Sequence, residues 1–539
     1  MADYLLSVRN LSVRFHTARG PVDAVRSVSW HVDRGETLAI LGESGSGKSV
    51  SASAIMNLLD IPPAEIVSGE ILFAGQDLLK LSREERRRIN GKRIAMIFQD
   101  PLGHLNPVYP VGWQIAEIMT AHGSKPEEAR RRCLELLERV GIPDVEGSLR
   151  KYPHQFSGGQ RQRLMIAMAL ALKPDLLIAD EPTTALDVTI QADVLSLLRE
   201  LQAETGMGLV LITHDLGVVA DIADRVVVMN QGEIVEEGSP REIYHNPTHA
   251  YTKKLIAAAP GKGDIPAGEP ETGMLLDVRS LSKDYGDFTA LKAASFTLRR
   301  GQTVAIVGES GSGKSTLARS ILRLEEADSG EALWKGRDLL KMSPRELLAA
   351  RRQMHMVFQD PTQSLNPRMS VYQIISEGWD IHGLMPDRAA RRDRVTELLL
   401  QVGLSPDHAL RYPHQFSGGQ RQRIAIARAL ALEPELIICD EAVSALDVSI
   451  QAQVIALLSR LRKELGISFL FIAHDLGVVR DFADTVIVMK AGEIVEQGPT
   501  RQIFNEPRHP YTQKLLAAAL DPDPDVQEGR RQAAAAVPS

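Results

Sequence analysis

Gly42-Glu43-Ser44-Gly45-Ser46-Gly47-Lys48-Ser49 decides the reading of this chain, and it follows directly on Leu38-Ala-Ile-Leu41. The apolar run Thr37 to Leu41 reads as a buried strand leading in, and Val50 to Leu58 reads as a helix leading out. In the pattern G-x-x-x-x-G-K-S the glycines let backbone N–H groups turn inward on phosphate oxygens. The helix N-terminus adds the positive end of its dipole. Lys48 can then reach the β/γ-phosphates and Ser49 a Mg²⁺ ion. A glycine-rich turn alone does not account for strand, loop and helix in this order. The stretch is read as a nucleotide site.

The loop recurs as Gly308-Glu309-Ser310-Gly311-Ser312-Gly313-Lys314-Ser315-Thr316. Such a repeat has to be recognised before any fold is assigned. Tyr152 to Arg163 is repeated letter for letter from Tyr412 to Arg423, and Phe98-Gln99-Asp100-Pro101 returns as Phe358-Gln359-Asp360-Pro361. His214 to Val219 returns as His474 to Val479. The chain is a tandem duplication.

A length of 539 residues gives each half enough chain for its own core. Apolar content of 44% and charged content of 24% are ordinary for a soluble protein, and a net charge of −7 gives no electrostatic reason to expect nucleic acid. The basic run Arg83-Glu-Glu-Arg-Arg-Arg88 is mixed with acids and reads as a solvated helix face. With two cysteines, Cys133 and Cys439, far apart in sequence, neither a disulfide framework nor a zinc or cysteine-ligated cluster is expected. No apolar run approaches the roughly 20 residues that span a bilayer, and no signal peptide is expected. If the protein works at a membrane, another chain supplies the membrane part, with no direct lipid insertion here.

Residues 4–15 alternate as a strand does, and the register recurs from Leu275 to Tyr285, placing Phe15 opposite Tyr285. An aromatic just upstream of a phosphate loop can stack on an adenine ring, although a core phenylalanine explains Phe15 equally well and His16 is a rival. Leu59 to Glu70, with Pro62-Pro63, reads as a surface loop that is shorter in the second half, Glu325 to Glu331. From Asp100 to about Arg150, and from Asp360 to about Arg411, helical periodicity with charged faces suggests a helical subdomain inserted into an α/β core, Pro126 to Val140 being one helix. A helix then starts near Arg161. The runs Leu176 to Glu181 and Leu436 to Glu441 read as buried parallel strands delivering Asp180-Glu181 and Asp440-Glu441 to the sheet edge where α/β ligands bind. The strands Gly208–Thr213 and Ser468–Ala473 lead to His214 and His474. The expected organisation is a first domain over 1–260, a Gly/Pro-rich linker over 261–273, a second domain over 274–520 and a disordered tail over 521–539.

Phosphate loop, Phe-Gln-Asp, Ser-Gly-Gly-Gln, Asp-Glu and a downstream His, in that order, resemble the ATP-binding cassette (ABC) ATPases, over nearly the whole chain. The resemblance implies an α/β fold, with two tandem nucleotide-binding domains, each a RecA-like core with an inserted helical subdomain. It also implies cassettes paired head-to-tail, with ATP held by Gly42 to Val50 of one half, or Gly308 to Thr316 of the other. Ser417-Gly418-Gly419-Gln420 and Ser157-Gly158-Gly159-Gln160 would close on the γ-phosphate from the opposite half. It assigns Glu181 and Glu441 as the catalytic glutamates. Asp180 and Asp440 are then the Mg²⁺-side carboxylates beside Ser49 and Ser315. Gln99 and Gln359 would sense Mg²⁺ and the attacking water, and His214 and His474 would contact the γ-phosphate. Asp187 and Asp447 match a loop that couples the sites. Val50 after Ser49, Thr184 opposite Ser444, and Ala442 in place of a proline depart from the pattern without removing a ligand.

Asn246-Pro-Thr-His-Ala-Tyr-Thr-Lys-Lys-Leu255 and Glu506-Pro-Arg-His-Pro-Tyr-Thr-Gln-Lys-Leu515 are similar to the endings of dipeptide/oligopeptide importer ATPases, so the chain resembles two such subunits fused. That implies two integral-membrane permeases docking beside Gln99 and Gln359, an extracytoplasmic substrate-binding protein, and a peripheral place on the cytoplasmic face of the inner membrane. Some of that group carry an iron–sulfur cluster; with Cys133 and Cys439 alone none is expected. The alternative is a soluble tandem cassette acting on ribosomes, against which stands the short Gly/Pro-rich linker.

Overall fold

The computed structural model describes residues 4–17, 20–99, 101–183, 186–266, 273–444 and 446–535. Asp100, Thr184 and residues 267–272 of the expected linker lie outside the described residues. The chain divides into two units, the first made of Met1–Leu186, Ile190–Ala258 and Leu520–Ser539, the second of Asp187–Thr189 and Ala259–Ala519.

In the first unit the strands run β1 (Leu6–Thr17), β2 (Gly20–Val32), β3 (Thr37–Leu41), β4 (Ala64–Phe73), β5 (Gln76–Asp77), β6 (Ile94–Ile97), β7 (Leu176–Asp180), β8 (Gly208–Thr213), β9 (Arg225–Asn230) and β10 (Glu233–Gly238). Among the described residues they form an antiparallel sheet in the order β2-β1-β4-β5 and a second sheet in the order β10-β9-β3-β8-β7-β6. The second sheet is parallel from β9 to β6, with β10 antiparallel at its edge. Both of its faces are covered, which is why its strands read as unbroken apolar runs. Leu177 and Ala179 face a core shared with the helical segment, whereas Leu176 and Ile178 face a core shared with the antiparallel sheet.

The second unit repeats the plan with β11 (Met274–Tyr285), β12 (Phe288–Arg299), β13 (Thr303–Val307), β14 (Ser329–Trp334), β15 (Arg337–Asp338), β16 (Met354–Val357), β17 (Leu436–Asp440), β18 (Ser468–Ile472), β19 (Thr485–Lys490) and β20 (Glu493–Pro499). Its sheets are ordered β12-β11-β14-β15 and β16-β17-β18-β13-β19-β20. In each unit helices fill the segment between the strand before Gln99 or Gln359 and the Ser-Gly-Gly element, including Pro126–Arg139 and Arg388–Gln401.

Four expectations need correction. Much of Leu59–Glu70 is not loop: Ala64–Glu70 is the start of β4, pairing with β1 through Val13 opposite Ile66, so the insertion lengthens a strand. The helix expected near Arg161 begins at Gly158, because Ser157 caps it by accepting from the Gln160 N–H while Gln160 Oε1 accepts from the Ser157 N–H. The basic run is not wholly solvated: Arg86 is buried and donates to the Ile55 carbonyl at 2.5 Å. The tail is not disordered as far as Ala535, since Pro524–Ala535 is a helix packed within the first unit. Its Gln527 side chain donates to Asp221 at 2.9 Å, Arg531 donates to the Asp221 carbonyl at 2.6 Å, and Arg241 pairs with Asp525 and Glu528.

Candidate nucleotide sites

Strand β3 ends at Leu41, and the helix Lys48–Met56 starts two residues earlier than its apolar pattern suggests. The loop between them is shaped by close approach. A Cβ on Gly42 would meet the Met229 carbonyl, and one on Gly47, whose φ is +99°, would meet the Ala24 carbonyl. In the second unit Gly308 and Gly313 are confined in the same way by Met489 and Ala290. Only glycine serves at these positions.

Lys48 is buried, and its ammonium donates to the Gly42 and Glu43 carbonyls at 2.7 and 2.9 Å. Lys314 does the same with Gly308 and Glu309, and burial pulls its pKa below the usual lysine value. Ser49 Oγ donates to Asp180 Oδ1 at 3.0 Å, and Ser315 Oγ to Asp440 Oδ1 at 2.8 Å. Burial pushes Asp180 up to about 6, with the Glu181 charge pushing the same way and the Ser49 hydrogen bond and Lys48 opposing. Asp440 is likewise raised by burial.

The catalytic candidates come together in each unit. Glu181 accepts from Gln99 Nε2 at 2.8 Å, and its other oxygen lies 3.3 Å from His214 Nδ1. Glu441 accepts from Gln359 Nε2 at 2.5 Å and lies 2.5 Å from His474 Nε2. The Glu181 N–H continues the strand ladder to the Ile212 carbonyl, as the Glu441 N–H does to Ile472. Both glutamates then sit at positive φ, +47° and +51°.

The remaining predicted residues differ in their surroundings. Tyr285, at the end of β11, is 47% exposed, with Lys283 over its ring and its hydroxyl on Glu325. Phe15 is half-buried, packed on the core of the first unit. His16 instead pairs with Glu65 at 2.8 Å. Gly158 and Gly418 stand at helix N-termini, and Gly159 packs so closely on Ile190 that a Cβ would lie 2.8 Å from it.

Sequence reasoning missed one contact. The Glu43 N–H donates to the Tyr251 hydroxyl at 3.0 Å, and the Glu309 N–H to the Tyr511 hydroxyl at 3.1 Å. Both tyrosines stand in the repeated His-x-Tyr-Thr endings, so the signal was present; nothing local says that it reaches a loop some 200 residues upstream (separations of 208 and 202).

With that geometry in place, the comparisons are unambiguous. The ABC transporter family profile matches residues 25–184 and 291–444, and the profile of the oligopeptide/dipeptide transporter C-terminal region matches 235–271 and 495–539. The chain belongs to the ABC transporter family. It is 50% identical over 569 residues to the glutathione import ATP-binding protein GsiA of Salmonella typhimurium, covering 98% of this chain and 91% of that protein. It is 47% identical over 572 residues to GsiA of Escherichia coli strain K12, covering 98% and 92%. Among solved structures, cbiO1 of Clostridium perfringens, part of the ABC transporter complex cbiONQ, is 33% identical with a TM-score of 0.40, covering 43% of this chain and 92% of its own. The chain is thus a tandem-cassette ATPase of the peptide-importer type, and the ribosome alternative finds no support. Among the described residues no helix is long and apolar enough to cross a membrane.

Proposed function

We propose that this ABC ATPase hydrolyses Mg²⁺-ATP to drive import of glutathione or a peptide of that class through two permease subunits. A substrate-binding protein would deliver the cargo, and the chain itself would lie peripherally on the cytoplasmic face of the inner membrane. The observation that carries the ATPase chemistry is the Gln–Glu–His cluster present in each unit beside a buried lysine and a Ser–Asp pair. Glu181 and Glu441 take the proton of the attacking water, oriented by Gln99 or Gln359 and by the histidine. Lys48 and Lys314 leave the loop carbonyls for the β/γ-phosphates.

The donor set fits a hard cation: the Ser49 hydroxyl and the Asp180 carboxyl are already in contact at 3.0 Å, and burial holds the Asp180 pKa up at about 6 despite the Ser49 hydrogen bond and Lys48. When bound, Mg²⁺ supplies charge neutralisation between the phosphates. Ser49, Asp180 and Gln99 would hold it, with Ser315, Asp440 and Gln359 in the second unit. Ser157 to Gln160 and Ser417 to Gln420 each form a capped helix N-terminus, suited to an anion.

A membrane partner is supported by an exposed surface in the helical segment that follows Gln99 in the chain. Val108 is 70% exposed, and Tyr109 and Trp113, 42% and 47% exposed, stack on one another at 4.2 Å between ring centroids. Exposed aromatics clustered in this way are characteristic of protein contacts. The cargo follows the name carried by the relatives at 47–50% identity. The test is to purify the tagged chain from gently solubilised cells and identify what accompanies it. Multi-span permeases are expected, together with glutathione-stimulated ATPase activity once the cognate binding protein is added. Ribosomal proteins without a membrane partner would overturn the reading.

A further inference from the structure

We propose that Tyr251 and Tyr511 are positioning residues that bolt the C-terminal region of each cassette to its phosphate loop and hold the loop's first turn in shape for nucleotide. The inference rests on reading Gly42–Ser49 and Gly308–Ser315 as nucleotide loops. In such a loop most N–H groups are reserved for phosphate, and one that is turned away needs a protein acceptor. At Glu43 the acceptor is the Tyr251 hydroxyl, 3.0 Å away, and the same residue's carbonyl accepts from Lys48 at 2.9 Å. The Glu43 residue is therefore held from two sides. When phosphate draws the lysine away from the carbonyl, the tyrosine bond persists.

The tyrosine is seated with care. Glu236 on β10 accepts from the Thr248 N–H at 2.6 Å and the His249 N–H at 3.1 Å, and His249 Nδ1 accepts from the Tyr251 N–H at 3.2 Å. In the second unit Glu496 accepts from the Arg508 and His509 N–H groups at 2.9 and 3.0 Å, and His509 Nδ1 accepts from the Tyr511 N–H at 3.1 Å. There Lys490 also sits over the Tyr511 ring, 4.9 Å from its centroid. Neighbouring positions differ, Thr248 against Arg508 and Ala250 against Pro510, yet glutamate, histidine, tyrosine and loop contact are all kept. A packing accident would not preserve a hydrogen bond through those changes. The stretches matched by the oligopeptide/dipeptide C-terminal profile contain the glutamate, histidine and tyrosine of both seats, so that region acquires a role in ATP binding.

The test compares the full chain with Tyr251→Phe, Tyr511→Phe and the double variant. Loss of one neutral hydrogen bond corresponds to roughly a threefold to tenfold rise in KM for ATP, with kcat within about twofold. Hydrogen exchange at the Glu43 and Glu309 amides rises in parallel. Unchanged KM and unchanged loop exchange overturn the proposal, as does a fall in melting temperature with KM and loop exchange unmoved, the signature of a purely structural hydroxyl. Should the double variant be insoluble, Glu236→Gln, which loosens only the seat, must raise KM in the same way, and an unchanged KM then overturns it. Lys48→Ala with Lys314→Ala separates the two readings: undiminished ATP binding there refutes the nucleotide loops themselves, whatever the tyrosines do.

Discussion

A glutamate at positive φ is held against its own preference, at a cost of roughly 1–2 kcal/mol. Glu181 and Glu441 both bear it, each clamped by a glutamine and a histidine. Strain kept in both copies at one position marks a group whose direction matters more than its comfort. Changing both to Gln keeps the shape and removes the proposed base. ATP binding is expected to persist while steady-state hydrolysis falls by at least about 10²-fold, as read by phosphate release; retained turnover would displace the glutamates from their role. These residues were legible because their pattern is local. His355 was not, since its setting depends on neighbours remote in sequence. On β16 it replaces the Ala95 of β6, and burial drives it down to about 4 from an ordinary 6.5, with Arg428 and His382 adding to the push and a backbone hydrogen bond opposing. A histidine lowered in the folded state gives stability that is full above the ordinary value and lost as pH falls through the folded one. The second unit is therefore expected to lose stability between about pH 6.5 and 4. His355→Ala, copying the first unit, should flatten that limb of a melting-temperature profile.

At the scale of elements, the sequence's periodicities located strands closely and helix starts poorly. Thr37–Leu41 and Gly208–Thr213 have the bounds their apolar runs suggest, because a strand buried on both faces ends where the apolar residues end. Helices begin at caps, and a cap is polar: Ser157 starts its helix three residues before Arg161 through a hydrogen-bond exchange that apolar spacing does not reveal. β4 was hidden for the opposite reason, its first residues being masked by the preceding proline pair and an internal glycine, although Ile66 and Val67 favour a strand. The Ser-Gly-Gly helix gives a sharp test of its two glycines. A Cβ at Gly158 meets nothing within 4 Å, whereas one at Gly159 meets Ile190 at 2.8 Å. Gly159→Ala is expected to destabilise the first unit by roughly 1–3 kcal/mol, while Gly158→Ala leaves its melting temperature within experimental error. Equal shifts would mean that the helix end, not the Ile190 contact, sets the requirement.

At the scale of the whole molecule, the duplication was legible at once, and the destination of the tail was not. Asp521 to Ala535 is rich in Asp, Pro, Arg and Ala, so nothing in it resembles an element that buries an apolar face. What holds it is polar and remote: Asp221, buried, receives Gln527 Nε2 on one carboxylate oxygen and Arg199 on the other, 306 residues separating Asp221 from Gln527. A Cβ at Gly217, on the same short helix, would press on Leu520. The second unit has the matching arrangement, where Asp481 accepts from the Gly261 N–H at 2.7 Å and Gly477 lies against Pro260. In each unit, then, the helix that follows the site histidine is completed by a segment that follows a cassette in the chain. Removal of residues 521–539 takes away the Gln527 and Arg531 bonds and leaves the Asp481 seat intact. Hydrogen exchange is expected to quicken across Leu216–Ile222, the first unit losing roughly 1–3 kcal/mol, and to stay unchanged across Leu476–Phe482. Equal quickening in both helices would show that the tail acts on the fold at large, and no change in either would show that Asp221 is satisfied without it.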